Sequence, residues 1–246
     1  MNFVEYGRSG ASVIVMLHGG GLSWWNYQRE AELLQDQFHV VLPILDGHAE
    51  SDAHFHSISK NASDICAYLR SSFETPIAAL CGLSLGAQVA IEMIGQDPEI
   101  CGNAVFESPS LIPSPMMNYL IPASVSMSYP LICKKWFSRL QFSSLKMNEH
   151  FFESYYRDSC KISRDDLTFL LKASCAYSLP ENLSSFRGNV RIHVGAKERK
   201  NMLRSAELLH AALPQSSLTI HEGMSHGEYS LNHPDRYVSD LLQMLT

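Results

Sequence analysis

Several common features are missing from this chain of 246 residues. No run of 18 apolar residues is present, which argues against a transmembrane helix. The opening stretch "MNFVEYGRSG" lacks the charged region and following apolar region of a signal peptide. Lysine and arginine number 19 against 25 acidic residues, the net charge is −6, and no basic stripe is formed. We therefore expect neither a membrane span nor a nucleic-acid partner.

Paired cysteines are also missing. The six cysteines, at positions 66, 81, 101, 133, 160 and 175, form no C-x-x-C pair and lie mostly in apolar stretches. This pattern is typical of reduced, buried thiols, and with no secretion signal it predicts a cytoplasmic protein.

A metal site is one interpretation of the stretch "DGHAESDAHFH" (46–56), which is dense in possible ligands. The spacing of these residues matches no established set of zinc ligands. We therefore expect no metal, and nothing else in the sequence calls for a cofactor.

Short apolar runs alternate with helical patterns along the chain. Hydrophobic residues make up 46%, enough for a large core, and the length suits a single α/β unit. Strands are predicted over 12–19, 38–46, 75–82, 103–109, 190–195 and 217–223, and helices over 25–37, 57–73, 85–96, 199–213 and 234–245. This alternation predicts a mostly parallel central sheet with helices on both faces.

Residues 110–185 do not show this alternation of strands and helices. They are rich in proline, methionine and aromatic residues, and no strand is predicted among them. We expect a helical cap, inserted after the fourth central strand, with residues 1–109 and 186–246 forming the core. An insertion of this size is either a lid over a site or an ordinary helical subdomain.

The stretch "CGLSLGAQVA" (81–90) joins a predicted strand to a run of helix-forming residues. Ser84 stands between Gly82 and Gly86, two residues away on either side. In a nucleophile elbow, a strained turn of this kind exposes a serine hydroxyl at the C-terminal edge of a sheet, and small residues at these two positions avoid clashes. A plain tight turn is the alternative, but the strand before and the helix after favour a nucleophile.

A nucleophilic serine needs a base to take its proton and an acid to orient that base. His226, in "EGMSHGEY", follows the last predicted strand, at the edge from which it could reach Ser84. Glu198 follows the preceding strand and is the predicted acid, although its charged neighbours also suit a surface loop. Glu107, at the end of the strand over 103–109, is the rival acid.

The glycine-rich stretch "MLHGGGLSWW" (16–25) follows the first predicted strand. Acyl transfer needs N–H donors aimed at the developing oxyanion, and glycines let the backbone approach a substrate closely. The predicted donors are the backbone N–H groups of Gly20 and Leu85. A phosphate-binding loop is the alternative, but the G-x-G-x-x-G spacing and the P-loop lysine are absent.

Five motifs, "LHGGG", "DGHAESD", "CGLSLG", "VGAKE" and "GMSHG", follow one another along the chain. In this order they resemble the α/β-hydrolase superfamily, in its capped, single-domain form that includes many lipases and esterases. The resemblance covers residues 12–109 and 186–246.

The resemblance implies a catalytic set in the order Ser84, Glu198 and His226, working without a cofactor. Two departures stand out. Ala49 and Glu50 occupy positions where the family's D-x-x-G-x-G-x-S loop would suggest glycine, and glutamate replaces the commoner aspartate at position 198.

The sequence therefore predicts a serine hydrolase that cleaves carboxylic esters of apolar small molecules through an acyl-enzyme on Ser84. The fold alone does not fix the reaction. A thioesterase, C–C hydrolase or lyase could use the same residues, and a ligand-binding protein with a hydrolase fold but no turnover is a further alternative. The sequence does not fix the oligomeric state.

Overall fold

A seven-stranded sheet forms the centre of the computed structural model, which describes all 246 residues. The strands are β1 (Asn2–Tyr6), β2 (Val13–Leu17), β3 (His39–Ile44), β4 (Ala79–Leu83), β5 (Asn103–Glu107), β6 (Asn189–Gly195) and β7 (Ser216–His221). Their order across the sheet is β1-β3-β2-β4-β5-β6-β7, and β2 to β7 run parallel. The predicted α/β fold with a mostly parallel sheet is confirmed.

Strand β1 was not predicted from the sequence. It lies at the edge of the sheet and pairs with β3 in the antiparallel direction. Four of its five residues are partly buried and Glu5 is exposed, so the strand shows neither the continuous apolar run of a central strand nor a long alternation. Because of β1, the fourth parallel strand is the fifth strand along the chain.

Ten α-helices surround the sheet. They are α1 (Gln28–Leu34), α2 (Ile58–Ser72), α3 (Leu85–Gln96), α4 (Pro115–Ile132), α5 (Lys135–Ser144), α6 (Phe152–Ser159), α7 (Arg164–Ala176), α8 (Lys200–Ala212), α9 (Glu228–Asn232) and α10 (Pro234–Leu245). The helix predicted over 25–37 is instead a 3₁₀ turn, Trp24–Tyr27, followed by the shorter α1. None of the helices combines the length and the apolar composition that a membrane crossing requires.

Two apolar clusters lie on opposite faces of the sheet, and β2 shows how the sequence builds them. Successive side chains of a strand point to opposite faces. Val15 and Leu17 accordingly pack in the cluster that includes α2, α3 and α8, whereas Ile14 and Met16 pack with α1 and α10. Both faces of the central strands are therefore buried, which is why their sequences are continuously apolar.

Residues 110–185, here called the helical insertion, lie between β5 and β6. They contain α4 to α7 and two 3₁₀ turns, and no strand occurs among them. The side-chain amide of Gln88, on α3, donates to the carbonyl oxygens of Ser110 and Ser174 at 2.5 and 3.0 Å, which ties the start of the insertion and the last turn of α7 to α3. The division of the chain into a core and a cap stays a prediction.

Candidate active site

Ser84 occupies the sharp turn between β4 and α3. Its backbone has φ +53° and ψ −110°, a strained conformation for a residue with a side chain. A Cβ atom on Gly82 would lie 2.5 Å from the carbonyl oxygen of Gly86, and one on Gly86 would lie 2.0 Å from that of Leu17. Only glycine fits at either position, so the two glycines permit the turn that presents the serine.

His226 and Glu198 lie beside this turn. His226 follows β7, Glu198 follows β6, and these neighbouring strands end side by side. The imidazole Nε2 lies 3.0 Å from Ser84 Oγ, and Nδ1 lies 2.6 Å from a Glu198 carboxylate oxygen. With Nδ1–H donating to the carboxylate, Nε2 is free to accept the serine proton. The structure thus brings together all three side chains that the sequence singled out.

The Glu198 side chain is fully buried, whereas 43% of the His226 side chain is exposed. Besides His226, the Glu198 carboxylate accepts hydrogen bonds from Ser108 Oγ at 2.6 Å and from the Gly195 N–H at 2.8 Å. Burial alone would raise the pKa of Glu198, but the hydrogen bonds and charge of His226, with the bonds from Ser108 and Gly195, lower it below the ordinary value. Glu198 is therefore held as a carboxylate.

Glu107, the rival acid, faces a different part of the structure. Its carboxylate accepts hydrogen bonds from the N–H groups of Tyr229 and Ser230, at 3.1 and 3.2 Å, in the first turn of α9. It makes no hydrogen bond to His226. Burial raises the pKa of Glu107 to about 7, against the lowering effect of the hydrogen bonds from Ser230.

The predicted oxyanion donors lie next to each other. A Cβ atom on Gly20 would be 3.5 Å from the Leu85 side chain. The Gly20 N–H makes no hydrogen bond within the protein. Leu85 is the first residue of α3, where an N–H has no acceptor within its own helix. Both donors are therefore available to a ligand beside Ser84.

Buried polar side chains fix the loop that carries Gly20, and the sequence analysis did not identify them. Asn26 Oδ1 accepts the Gly19 N–H at 3.1 Å, and His48 Nε2 accepts the Gly21 N–H at 3.1 Å. Burial lowers the pKa of His48, which keeps the ring neutral and able to accept. The only sequence signal was the position of His48 in "DGHAESD", the loop with the unusual Ala49 and Glu50.

The stretch over 46–56, which is rich in possible metal ligands, makes hydrogen bonds that hold neighbouring loops. His48 supports the glycine loop, and His54 Nδ1 lies 2.9 Å from Asp166 of α7. No group of three or more histidine, cysteine, aspartate or glutamate side chains is arranged to hold a metal ion.

Two cavities open beside Ser84. The larger, about 410 Å³, lies under the helical insertion; nine of its 17 lining residues are hydrophobic and none is charged. The smaller, about 60 Å³, lies on the side of His226. Ser84, His226 and the predicted oxyanion donors thus border a largely apolar space.

The comparison with protein-family models identifies the family. The model of the alpha/beta hydrolase family matches residues 14–240. The chain belongs to the alpha/beta hydrolase family. The resemblance seen in the motifs is thereby confirmed, and this alpha/beta hydrolase is an enzyme. No curated protein sequence matches it closely enough to count as a relative.

Many solved structures share the fold of this alpha/beta hydrolase. An esterase from Exiguobacterium antarcticum matches with a TM-score of 0.83 at 16% identity, covering 99% of this chain and 94% of that one. A bromoperoxidase from Bacillus anthracis gives 0.81 at 16% identity, covering 99% and 94%. An esterase from Thermogutta terrifontis, with malate bound, gives 0.78 at 16% identity, covering 99% and 92%. At such identity the likeness establishes the fold and leaves the reaction to the site itself.

Proposed function

We propose that this enzyme is a serine hydrolase that cleaves carboxylic esters of apolar small molecules. The observation that carries the proposal is the hydrogen-bonded chain from Ser84 through His226 to Glu198, at 3.0 and 2.6 Å. A serine within reach of a base, with the base oriented by a carboxylate, is the arrangement that activates a hydroxyl nucleophile.

In the proposed reaction, Ser84 Oγ attacks the ester carbonyl while His226 Nε2 takes the serine proton. The N–H groups of Gly20 and Leu85 stabilise the oxyanion, and the Glu198 carboxylate stabilises the imidazolium that forms. Collapse of the intermediate breaks the bond to the alcohol, which leaves with the proton from His226 and an acyl group remains on Ser84. Water, activated by His226, then releases the acid and restores the serine.

The lining of the larger cavity supports an apolar substrate. Val125 and Ile132 of α4, with Leu170 of α7, are buried and border it, together with Ser84. Since no charged side chain lines this space, an ionised substrate would lose hydration without gaining a partner. In this proposal the helical insertion acts as the cap that closes the site.

The proposed location is the cytoplasm. All six cysteines are free thiols, and Cys66, Cys81 and Cys101 are buried. A protein whose cysteines are all free thiols suits a reducing compartment.

The test measures the hydrolysis of neutral ethyl esters by titrating the acid that is released. Ser84→Ala should reduce kcat by about a million-fold, the typical loss of a triad nucleophile. Ser110→Ala is the matched control, because Ser110 follows β5 at the same edge and its hydroxyl makes no hydrogen bond. Near-normal turnover by a folded Ser84→Ala variant would contradict the proposal. Binding of esters without turnover by the wild-type enzyme would indicate the ligand-binding alternative.

A further inference from the structure

The two cavities beside Ser84 differ about sevenfold in volume, 410 against 60 Å³. Gly20, Ser84 and Leu145 border both. An ester bound with its carbonyl carbon at Ser84 Oγ therefore extends one of its two arms into each cavity. Which arm enters which cavity decides the shape of the substrate.

The position of His226 indicates which arm enters which cavity. It lines the smaller cavity and does not line the larger one. The leaving alcohol must take its proton from His226 Nε2, so its oxygen has to come within hydrogen-bonding distance of that atom. The alcohol arm is therefore directed into the smaller cavity, and the acyl arm is left with the larger one.

The smaller cavity holds an alcohol of one or two carbons. Its volume of about 60 Å³ corresponds to the share of roughly two liquid water molecules. Its walls include Leu22, Leu83, Met147 and Leu231, all of them buried. To stay within this cavity, a longer alkyl group would have to displace close-packed side chains, which is energetically costly.

The larger cavity has room for a long acyl group. At about 410 Å³ it is between two and three times the size of an engineered cavity, roughly 150 Å³, that binds benzene. Its polar lining consists of uncharged side chains, such as Ser128, Ser159 and Gln141. It therefore suits a medium to long neutral acyl chain and disfavours a second carboxylate.

We propose that the natural substrates are methyl or ethyl esters of neutral, medium-chain to long-chain carboxylic acids. This inference rests on the proposed function and adds the assignment of each ester arm to a cavity. Met147 limits the alcohol, and Val125, on the inner face of α4, borders the space for the acyl chain.

Two isomeric esters test the assignment. Ethyl octanoate and octyl acetate have the same atoms and similar hydrophobicity, but their arms are exchanged. The expected kcat/KM is on the order of 100-fold higher for ethyl octanoate, because each methylene accommodated or excluded changes the rate severalfold or more. Ethyl acetate, whose arms both fit, serves as the reference substrate.

Two variants then address the cavities separately. Met147→Ala enlarges the smaller cavity and should raise the ratio of octyl acetate to ethyl octanoate hydrolysis at least about tenfold. Val125→Phe fills the larger cavity and should slow ethyl octanoate at least about tenfold more than ethyl acetate. Circular dichroism and thermal unfolding establish that each variant is folded.

The outcomes separate the two levels of the proposal. A wild-type preference for octyl acetate, or Met147→Ala and Val125→Phe variants that leave both ratios unchanged, would overturn the cavity assignment alone. Hydrolysis of none of the three esters by the wild-type enzyme would overturn the proposed ester hydrolysis as well.

Discussion

The C-terminal edge of the sheet and the helical insertion line the same site but are built differently. At the sheet edge, backbone contacts fix each group: Gly86 lies against Leu17, and Glu198 accepts the N–H of Gly195. The insertion presents much apolar surface to solvent. Nine of the eleven exposed large hydrophobic side chains lie there, namely Met116, Met117, Tyr119, Leu120, Met127, Trp136, Leu140, Phe169 and Leu171.

In this account the sheet edge carries the proposed catalytic groups, and the helical insertion shapes the cavity that would select the substrate. Backbone contacts leave few residue choices, so the sheet edge carries recognisable motifs. The insertion contributes cavity walls through side-chain packing, which many apolar sequences satisfy. Changes at the edge should therefore affect catalysis and folding strongly, and changes on the outer face of the insertion should have little effect.

After the loss of Ser84 itself, the largest expected effect comes from Glu198, one of the two carboxylates at the edge. Glu198→Gln should lower kcat/KM about ten-thousand-fold, because the glutamine amide can present an N–H where His226 needs an acceptor. Glu107→Gln should cost less than about tenfold, since Oε1 already accepts the Tyr229 N–H at 3.1 Å and the Ser230 N–H at 3.4 Å, and the glutamine keeps this oxygen. Steady-state kinetics on both variants make the comparison, and the reverse ranking would transfer the acid role to Glu107.

Folding should be most sensitive at Gly86. A methyl group there would lie 2.0 Å from the Leu17 carbonyl oxygen, so Gly86→Ala should lower the free energy of unfolding by about 3 kcal/mol or more. Gly102→Ala is the matched control, because a Cβ there meets nothing within 4 Å, and its effect should stay within about 0.5 kcal/mol. Equal urea midpoints for the two variants would refute the close packing at the elbow.

Buried Glu107 should make stability depend on pH. Its pKa is raised from 4.5 to about 7, so between these values the folded protein holds a proton that the unfolded chain releases. This contribution to the free energy of unfolding is present below pH 4.5 and is lost as pH rises through 7, by about 3 kcal/mol in total. Urea unfolding across this range should show Glu107→Gln gaining stability relative to wild type as pH rises. Parallel curves for the two proteins would contradict a buried, proton-binding Glu107.

The smallest effect is expected on the outer face of α4. Met127 is 79% exposed and Val125, two residues earlier, is 3% exposed. Met127→Ser should change the free energy of unfolding by less than about 0.5 kcal/mol, whereas Val125→Ala should cost roughly 1–2 kcal/mol. Thermal unfolding distinguishes them. A large loss of stability in Met127→Ser would mean that the outer face is packed in solution, for example against a second molecule.

The parts predicted from the sequence are those in which local pattern dictates structure. The elbow at Ser84 was recognisable because the glycine spacing, the strand and the helix all fall within residues 79–96. Strand β1 was missed because an edge strand needs little apolar surface. The support of the glycine loop by Asn26 and His48 was missed because these contacts, between residues 7 and 27 positions apart, follow no regular spacing in the sequence. The cavity volumes depend on side-chain packing throughout the insertion and were equally beyond sequence patterns.

The central claim is that Ser84 carries the acyl group during turnover. Titration with a fluorophosphonate, which replaces its fluoride with an activated serine oxygen, tests this directly. Intact-protein and peptide mass spectrometry should show one phosphonyl group per chain, on the peptide that contains Ser84, and ethyl ester hydrolysis should fall linearly to zero as that peptide is labelled. Full activity in completely labelled protein, or loss of activity that follows labelling of another residue, would contradict the claim.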